Sequence, residues 1–315
     1  MAPYKGLWRV MVEVLVGAGG WHYFNVPGDR LTAYAKVFDF VEVNSLFYRL
    51  LPLDVVASWR KKVTESFVFT VKCNRQITHT HGLANNRESM KVLEYMLRVC
   101  RLLRSPILVM ETPPNLRVTC ELLRDFFSSS PSKDVMYALE IRGEYDEKAF
   151  ETMRELGLIH VVDMSRQEPI YYHDEITYSR LFGKGFHNIY QFDDDELREI
   201  SMKAEASHSK RVMLSFHTVK MYEDAARLKH YHETGKFPQA TGKTGIRSLE
   251  KVLREDPFFP VSRNELIAIH GWKIIDLTPD KRIRAAQLLS TLDPTKQYHT
   301  VDEVISEIAS KTKKT

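Results

Sequence analysis

The 315-residue chain has little sulfur chemistry to offer: three cysteines, Cys73, Cys100 and Cys120. An odd count without zinc-ligand spacing argues against a disulfide framework or a structural zinc site and fits a reducing, cytosolic setting. Long apolar runs are missing as well. No window reaches the roughly 18 unbroken apolar residues of a membrane helix, so no membrane partner is expected. The opening MAPYKGLWRVMVEVLVGAGGWHYF is broken by Arg9 and Glu13 and lacks a small-residue cleavage site, so it does not read as a signal peptide. There is no internal repeat and no low-complexity stretch. Strong charge of one sign is absent too. The net charge is +4, far from that of a strongly basic nucleic-acid binder.

What remains is a globular composition, 43% hydrophobic and 27% charged. It is enough for one large domain, or one with a small appendage. The charge is unevenly placed. Residues 236–315 hold 14 basic and 10 acidic side chains, whereas the first 235 hold 31 of each. The closing KTKKT reads as a frayed, solvated end, and the basic excess as a surface a nucleic acid would tolerate.

Eight β-rich runs punctuate the first 235 residues, at 13–20, 38–45, 67–74, 106–112, 135–142, 159–165, 176–183 and 211–218. Amphipathic stretches such as MKVLEYMLRVCRLL and DELREISMKAEAS lie between them. Strands alternating with helices predict parallel βαβ units, and eight strands predict a closed (β/α)8 TIM-type barrel rather than an open doubly wound sheet. Residues 236–245 read as a glycine-rich linker, and 246–315 as a small all-helical extension. The whole is an α/β fold.

Polar residues enter the strands at period two, late in each run: Glu42 and Asn44; Thr70, Lys72 and Asn74; Glu140 and Arg142; Asp163; Arg180; Ser215 and His217. Buried parallel strands ordinarily read as continuous Val, Ile and Leu. Charge on one face near the strand ends therefore points to the barrel mouth, where sites of this fold are built. The competing reading is a set of internal ion pairs.

The segments VGAGGWHY, YAKVFDFVEVNSLFYRLLP, FVFTVKCNRQITHTHGL, ILVMETPPNL, ALEIRGEY, VVDMS and YSRLFGKG resemble the YecE-like family, domain of unknown function 72, over roughly residues 14–230. The resemblance implies a TIM-type barrel and leaves the activity open. Three departures from the family pattern fall at the mouth. Glu111 stands where Gln is usual, Arg180-Leu181-Phe182-Gly183 replaces Arg-x-His-Gly, and His217-Thr218 replaces Asn-Asn. They imply a ligand different from the family's usual one.

Four carboxylates, Glu42, Glu111, Glu140 and Asp163, converge on one cavity in such a barrel and must pair with cations, protonate or hold a metal. Lys72, Arg142 and Arg180 are the available cations. In an enzyme, Glu42, Glu140 and Asp163 would do acid/base work with Lys72 as acid or electrostatic stabiliser. In a metalloenzyme, Glu111, Glu140 and Asp163 would ligate a divalent ion with His217 or His22. Arg180, Arg142 and the Gly183-Lys184-Gly185 turn after strand seven suit a phosphorylated or carboxylated ligand. Trp21 and Tyr23 are placed to stack on a sugar or base, and Asn44, Tyr48 and Arg49 complete the candidate ligand shell. His79 and His81 form His-x-His, a chelating spacing on an extended chain or a Thr-His-Thr-His loop that hydrogen-bonds locally, while His230 and His232 fall on different helix faces. Two motifs are set aside. The GKFPQATGKT stretch has the wrong spacing for a P-loop, and DDDEL at 193–197 reads as a helix cap.

The expectation is an enzyme acting on an anionic ligand at the barrel mouth. The alternatives are a metal-dependent nuclease or phosphoesterase, by fold analogy alone, and a non-catalytic ligand- or nucleic-acid-binding protein.

Overall fold

The computed structural model describes residues 12–129, 132 and 134–312. The first eleven residues, where the absence of a signal peptide was read, and the last part of KTKKT lie outside them. Eight parallel strands form one sheet: β1 (Glu13–Ala18), β2 (Phe40–Val43), β3 (Val68–Lys72), β4 (Ile107–Glu111), β5 (Met136–Glu140), β6 (Ile159–His160), β7 (Ile176–Leu181) and β8 (Arg211–Phe216). Their order is β6-β5-β4-β3-β2-β1-β8-β7. The ring closes through a single parallel bridge between Val162 and Ser179, where the Arg180 N–H donates to the Val162 carbonyl at 3.0 Å. Elsewhere the joints are longer, and β7 and β8 share six register pairs from Ile176–Arg211 to Leu181–Phe216. The expected barrel is present with all eight strands. The sixth is two residues long, shorter than the run at 159–165 suggested, because Asp163 already folds back to its own turn.

The helices in this part are α1 (Arg30–Tyr34), α2 (Ser45–Tyr48), α3 (Leu53–Arg60), α4 (Arg87–Leu103), α5 (Cys120–Ser128), α6 (Ala149–Glu155), α7 (Asp194–Ala206) and α8 (Met221–Thr234). Their sequences explain their limits. Asn86 caps α4 by accepting the Ser89 N–H at 2.9 Å. Val92, Leu93, Met96, Val99, Cys100 and Leu103 then line its buried stripe, and Arg104 ends it in the left-handed conformation. Among the described residues no helix is long and apolar enough to cross a membrane.

The period-two pattern sorts the barrel interior by height. Phe40, Ile107, Val109, Ala138, Ile159, Ile176, Tyr178 and Met213 pack into one buried cluster at the amino-terminal end. One or two steps further along the same faces come Glu42, Glu111, Glu140, Arg180, Ser215 and His217. The apolar floor thus excludes water from beneath a charged mouth.

The chain divides into two compact units: 1–181 with 202–217, and 182–201 with 218–315. The second has its own core of Leu249, Val252, Leu253, Val261, Leu266, Ile275, Leu289, Tyr298 and Val304. After α8 come α9 (Ile246–Glu255), β9 (Val261–Ser262), α10 (Arg263–His270), β10 (Ile274–Thr278), β11 (Lys281–Arg284), α11 (Ala285–Leu289), β12 (Gln297–Tyr298) and α12 (Val301–Thr312). The extension is thus mainly helical, with two antiparallel ladders, β10–β11 and β9–β12, that an all-helical reading misses. Pro279-Asp280 makes the turn between two short alternating runs, a hairpin signal. The boundary of the unit also falls earlier than residue 235. Arg284 donates to the Gln191 carbonyl at 3.1 Å and to Tyr190 at 2.9 Å, and Arg282 and Arg227 both hold Asp194. Within the stretch read as a linker, the Thr241 N–H and hydroxyl both donate to Asp276 at 2.8 Å.

Candidate active site at the barrel mouth

Three carboxylates and three cations meet where β2, β3, β4, β5 and β7 end. Arg180, only 2% exposed, is the hub. Its Nε donates to Glu42 Oε2 at 3.2 Å, and its Nη1 to Glu140 at 2.5 Å and also to Glu111. Nη2 stands 3.1 Å from Glu42 Oε1, an ion-pair distance without hydrogen-bond alignment. Arg142 bridges Glu111 at 2.9 Å and Glu140 at 2.7 Å. Lys72 reaches Glu111 at 2.9 Å and rests over the Phe47 ring at 4.0 Å. Of the fates weighed for these carboxylates, pairing with cations is present for Glu42, Glu111 and Glu140. Arg180 offers no face to a ligand.

Burial alone would raise the Glu42 carboxyl, but Arg180, His217 and Lys72 hold it well below the usual range. Burial likewise works against ionised Glu111, yet Arg180, Lys72 and Arg142 bring it down to about 2. Lys72 is shifted downward by burial and by Arg180, with Glu111 and Glu42 opposing. Like charges thus share the site only because opposite charges alternate with them.

A second layer was less legible. Tyr178, two residues before Arg180 on the same face, donates to Glu42 Oε2 at 2.9 Å and lies 2.8 Å from the Thr70 hydroxyl. His217 Nε2 is 3.4 Å from Glu42 Oε2 and 3.0 Å from Ser215 Oγ. Burial pushes the imidazole pKa down and keeps it neutral at neutral pH, with Glu42 opposing. The opposite edge of the ring abuts Gly19. A Cβ there would lie 2.4 Å from His217 Nδ1 and 2.9 Å from Asn44 Nδ2. Only glycine leaves that space.

Gly19 also lines an open cleft of 610 Å³ at the carboxyl ends of β1 and β2, walled by Trp21, His22, Tyr23, Arg30 and Tyr48 and floored by Asn44 and Ser45. Trp21 is held edge-on by Trp59 at 5.1 Å. Arg30, which the sequence reading missed, donates to the His22 carbonyl at 2.5 Å. Arg49 is exposed just past α2.

Several expected residues sit elsewhere. The Asp163 carboxylate accepts from the Ser165 N–H and hydroxyl at 2.9 and 2.5 Å, with Arg166 at 3.6 Å, which makes it a turn-closing group. Gly183 and Gly185 serve their own loop, since a Cβ would lie 2.2 Å from Tyr190 and 2.1 Å from the Ile189 carbonyl. Lys184 pairs with Glu196 at 3.2 Å. His79 and His81 do not form an extended chelate. Residues Gln76–Thr80 wind into a π-helical turn in which His79 Nδ1 lies 2.8 Å from Thr78 and its ring meets Phe47 edge-on. The proposed metal set of Glu111, Glu140, Asp163 and His217 is not gathered either. Among the described residues, the group with three ligand atoms within 4.8 Å of one another is Cys120, Glu121 and Asp146, with Cys120 and Asp146 half-buried and Glu121 exposed. Asp193 and Glu196 exchange backbone contacts at 2.9 and 3.1 Å, so DDDEL is a cap as read. Much of the extension's basic excess is paired within its own unit, as in Arg254–Asp302, Lys273–Asp256 and Lys311–Glu307.

Residues 15–242 match the model of a protein family described as protein of unknown function DUF72. The chain belongs to this family. A DUF72 protein from Enterococcus faecalis is similar at 18% identity and TM-score 0.55, over 71% of this chain and 99% of its own. A DUF72 protein from Thermotoga maritima is similar at 18% identity and TM-score 0.56, over 70% and 99%. At such identity the likeness shows the shared fold. No curated protein matches the chain. The YecE-like resemblance read from the mouth motifs is the same family, and residues 243–315 lie beyond the matched segment.

Proposed function

We propose that this DUF72 protein is an enzyme acting on a phosphorylated or carboxylated small molecule held in the cleft at the end of β1 and β2. One observation supports the reading most: Gly19 lines the cleft, and its missing side chain makes room for the imidazole of the titratable Glu42–His217 pair packed against it. Neutral His217 acts as the base, taking a proton from an O–H or N–H group of the ligand at its Nδ1 edge. Ionised Glu42 stabilises the imidazolium that forms. Arg30 supplies the cation for the anionic group, in place of Arg180. Lys72, Arg142, Glu111 and Glu140 hold the charge balance around Glu42 and act as positioning residues.

The test is a screen of phosphorylated and carboxylated metabolites by thermal shift and turnover with wild type, Arg30→Ala and His217→Gln. A hit should lose its thermal shift in Arg30→Ala, and in His217→Gln should lose turnover while still binding. A hit that shifts Arg30→Ala and wild type equally, or that turns over unimpaired in His217→Gln, overturns the proposal.

A further inference from the structure

Ion pairing takes up about half of the extension's positive charge, and much of the rest is gathered in one place. Arg254, Lys273, Arg282, Arg284, Lys296 and Lys311 are engaged by carboxylates. Lys243, Arg247 and Lys251 have no ion pair among the described residues. All three are exposed, and with Glu250, Arg254 and Glu255 they line a groove of 400 Å³ along α9. Lys236, Arg263 and Lys281 also lack an ion pair but do not line it.

Helical spacing explains the alignment. Arg247, Lys251 and Arg254 stand at i, i+4 and i+7 on one face of α9, while Leu249, Val252 and Leu253 enter the core from the other. At 1.5 Å per residue the row is about 10 Å long. The two acids of the groove are already held. Glu250 pairs with Arg254 at 2.9 Å, and Glu255 with Lys220 at 3.0 Å. Arg254 is further shared with Asp302. Lys251 Nζ donates to the Thr241 carbonyl at 2.6 Å, which places the ammonium without neutralising it. Lys243, Arg247 and Lys251 are therefore uncompensated.

Every residue lining the groove is charged. A protein partner is gripped through aromatic or aliphatic anchors at the centre of the contact, and a lipid surface takes up an apolar helix face. The groove offers neither. A row of exposed lysine and arginine donors instead complements a polymer of phosphates, which basic side chains contact without regard to sequence.

We propose that the α9 groove binds the sugar-phosphate backbone of a nucleic acid, with Lys243, Arg247 and Lys251 on the phosphates. The surface is separate from the barrel site. It lies wholly in the second compact unit, and Lys243 is the first residue past the segment that matches the family model.

Fluorescence anisotropy of the whole protein with a labelled strand of about 20 nucleotides, alone and as a duplex, tests the proposal across a salt series. Each phosphate contact contributes about 0.7–0.9 to the slope of log affinity against log salt, so three contacts predict a slope of about −2 to −3. Scrambling the base sequence should leave affinity within about twofold. The Lys243→Glu, Arg247→Glu double variant should weaken binding tenfold or more and flatten the slope by about 1.5. Its thermal midpoint should hold, since neither side chain has a partner among the described residues. Should the midpoint fall, Lys243→Gln, Arg247→Gln carries the same test. The Lys236→Glu, Lys281→Glu variant, matched in net charge, should bind like wild type. Equal weakening by the two charge-reversed variants would reduce the effect to net charge and overturn the groove. No binding at the lowest salt overturns the proposal outright. Displacement of the strand by poly-glutamate as readily as by unlabelled strand would assign the groove to acidic protein instead.

Discussion

Arg180 Nε sits 3.2 Å from Glu42 Oε2, and neither side chain reaches solvent. The pair joins β7 to β2 across the barrel, and the same guanidinium collects Glu111 and Glu140. Removing the hub while leaving its partners strands buried charge. Arg180→Met should therefore cost about 3–5 kcal/mol, the usual penalty for breaking one side of a buried ion pair. Urea unfolding of the variant beside wild type measures it, and a loss under about 1 kcal/mol would contradict the hub role.

Acid should weaken the barrel through Glu111. Its folded pKa of about 2 lies below the ordinary 4.5, so the stabilisation is complete above pH 4.5 and is lost as pH falls towards 2. The shift corresponds to about 3 kcal/mol. Glu42 is displaced in the same direction and steepens the same limb. In Glu111→Gln the dependence on pH between 5 and 3 should flatten, while stability at pH 7 falls. Unfolding midpoints at pH 7, 5, 4 and 3 decide the matter, and an unchanged slope would remove Glu111 from the account.

Asp224 should give a dependence of opposite sign. It is fully buried, and burial lifts its carboxyl to about 7 although Arg227 pulls the other way. A raised folded pKa means that its contribution is complete below about pH 4 and is lost as pH rises through 7. Asp224→Asn should therefore level a decline in stability between pH 5 and 8. Hydrogen exchange of α8 amides over that range is the measurement, with parallel curves for variant and wild type as the contrary result.

Gly19 offers a local test of the cleft floor. In Gly19→Ala the new methyl meets His217 and Asn44 well inside contact distance, so the imidazole must move. Overpacking of this kind costs about 1–3 kcal/mol. The expected outcome is a displaced His217 ring-nitrogen resonance by NMR together with the loss of any activity found. An unmoved resonance would mean that the floor relaxes without the histidine.

Much of this architecture was legible because charge at period two cannot sit in an ordinary buried strand, so Glu42, Lys72, Glu140 and Arg180 announced both the strands and the mouth. Their roles were not, since whether Arg180 meets a ligand or three carboxylates depends on distances across a ring of strands far apart in sequence. Tyr178 escaped notice because a tyrosine in a strand reads as core until its hydroxyl partner is seen. Arg30 lay outside the strands where site residues were sought, and Ser45, the last residue of the run at 38–45, carried no charge to mark it. Local hydrogen bonding of His79 was readable from Thr-His-Thr-His, whereas the π-helical turn at Gln76–Thr80 and the ring contact with Phe47 were not. In the extension, the β10–β11 hairpin hid behind helix-forming neighbours on both sides.

The backbone fastens β6 to β7 at a single point, Val162–Ser179, yet β7 carries the guanidinium that grips β2, β4 and β5. Where the rim of the wheel is thin, the spokes bear the tension. A tear along that line must first pull three carboxylates off one cation, so the charged hub keeps the cylinder from unrolling at its seam.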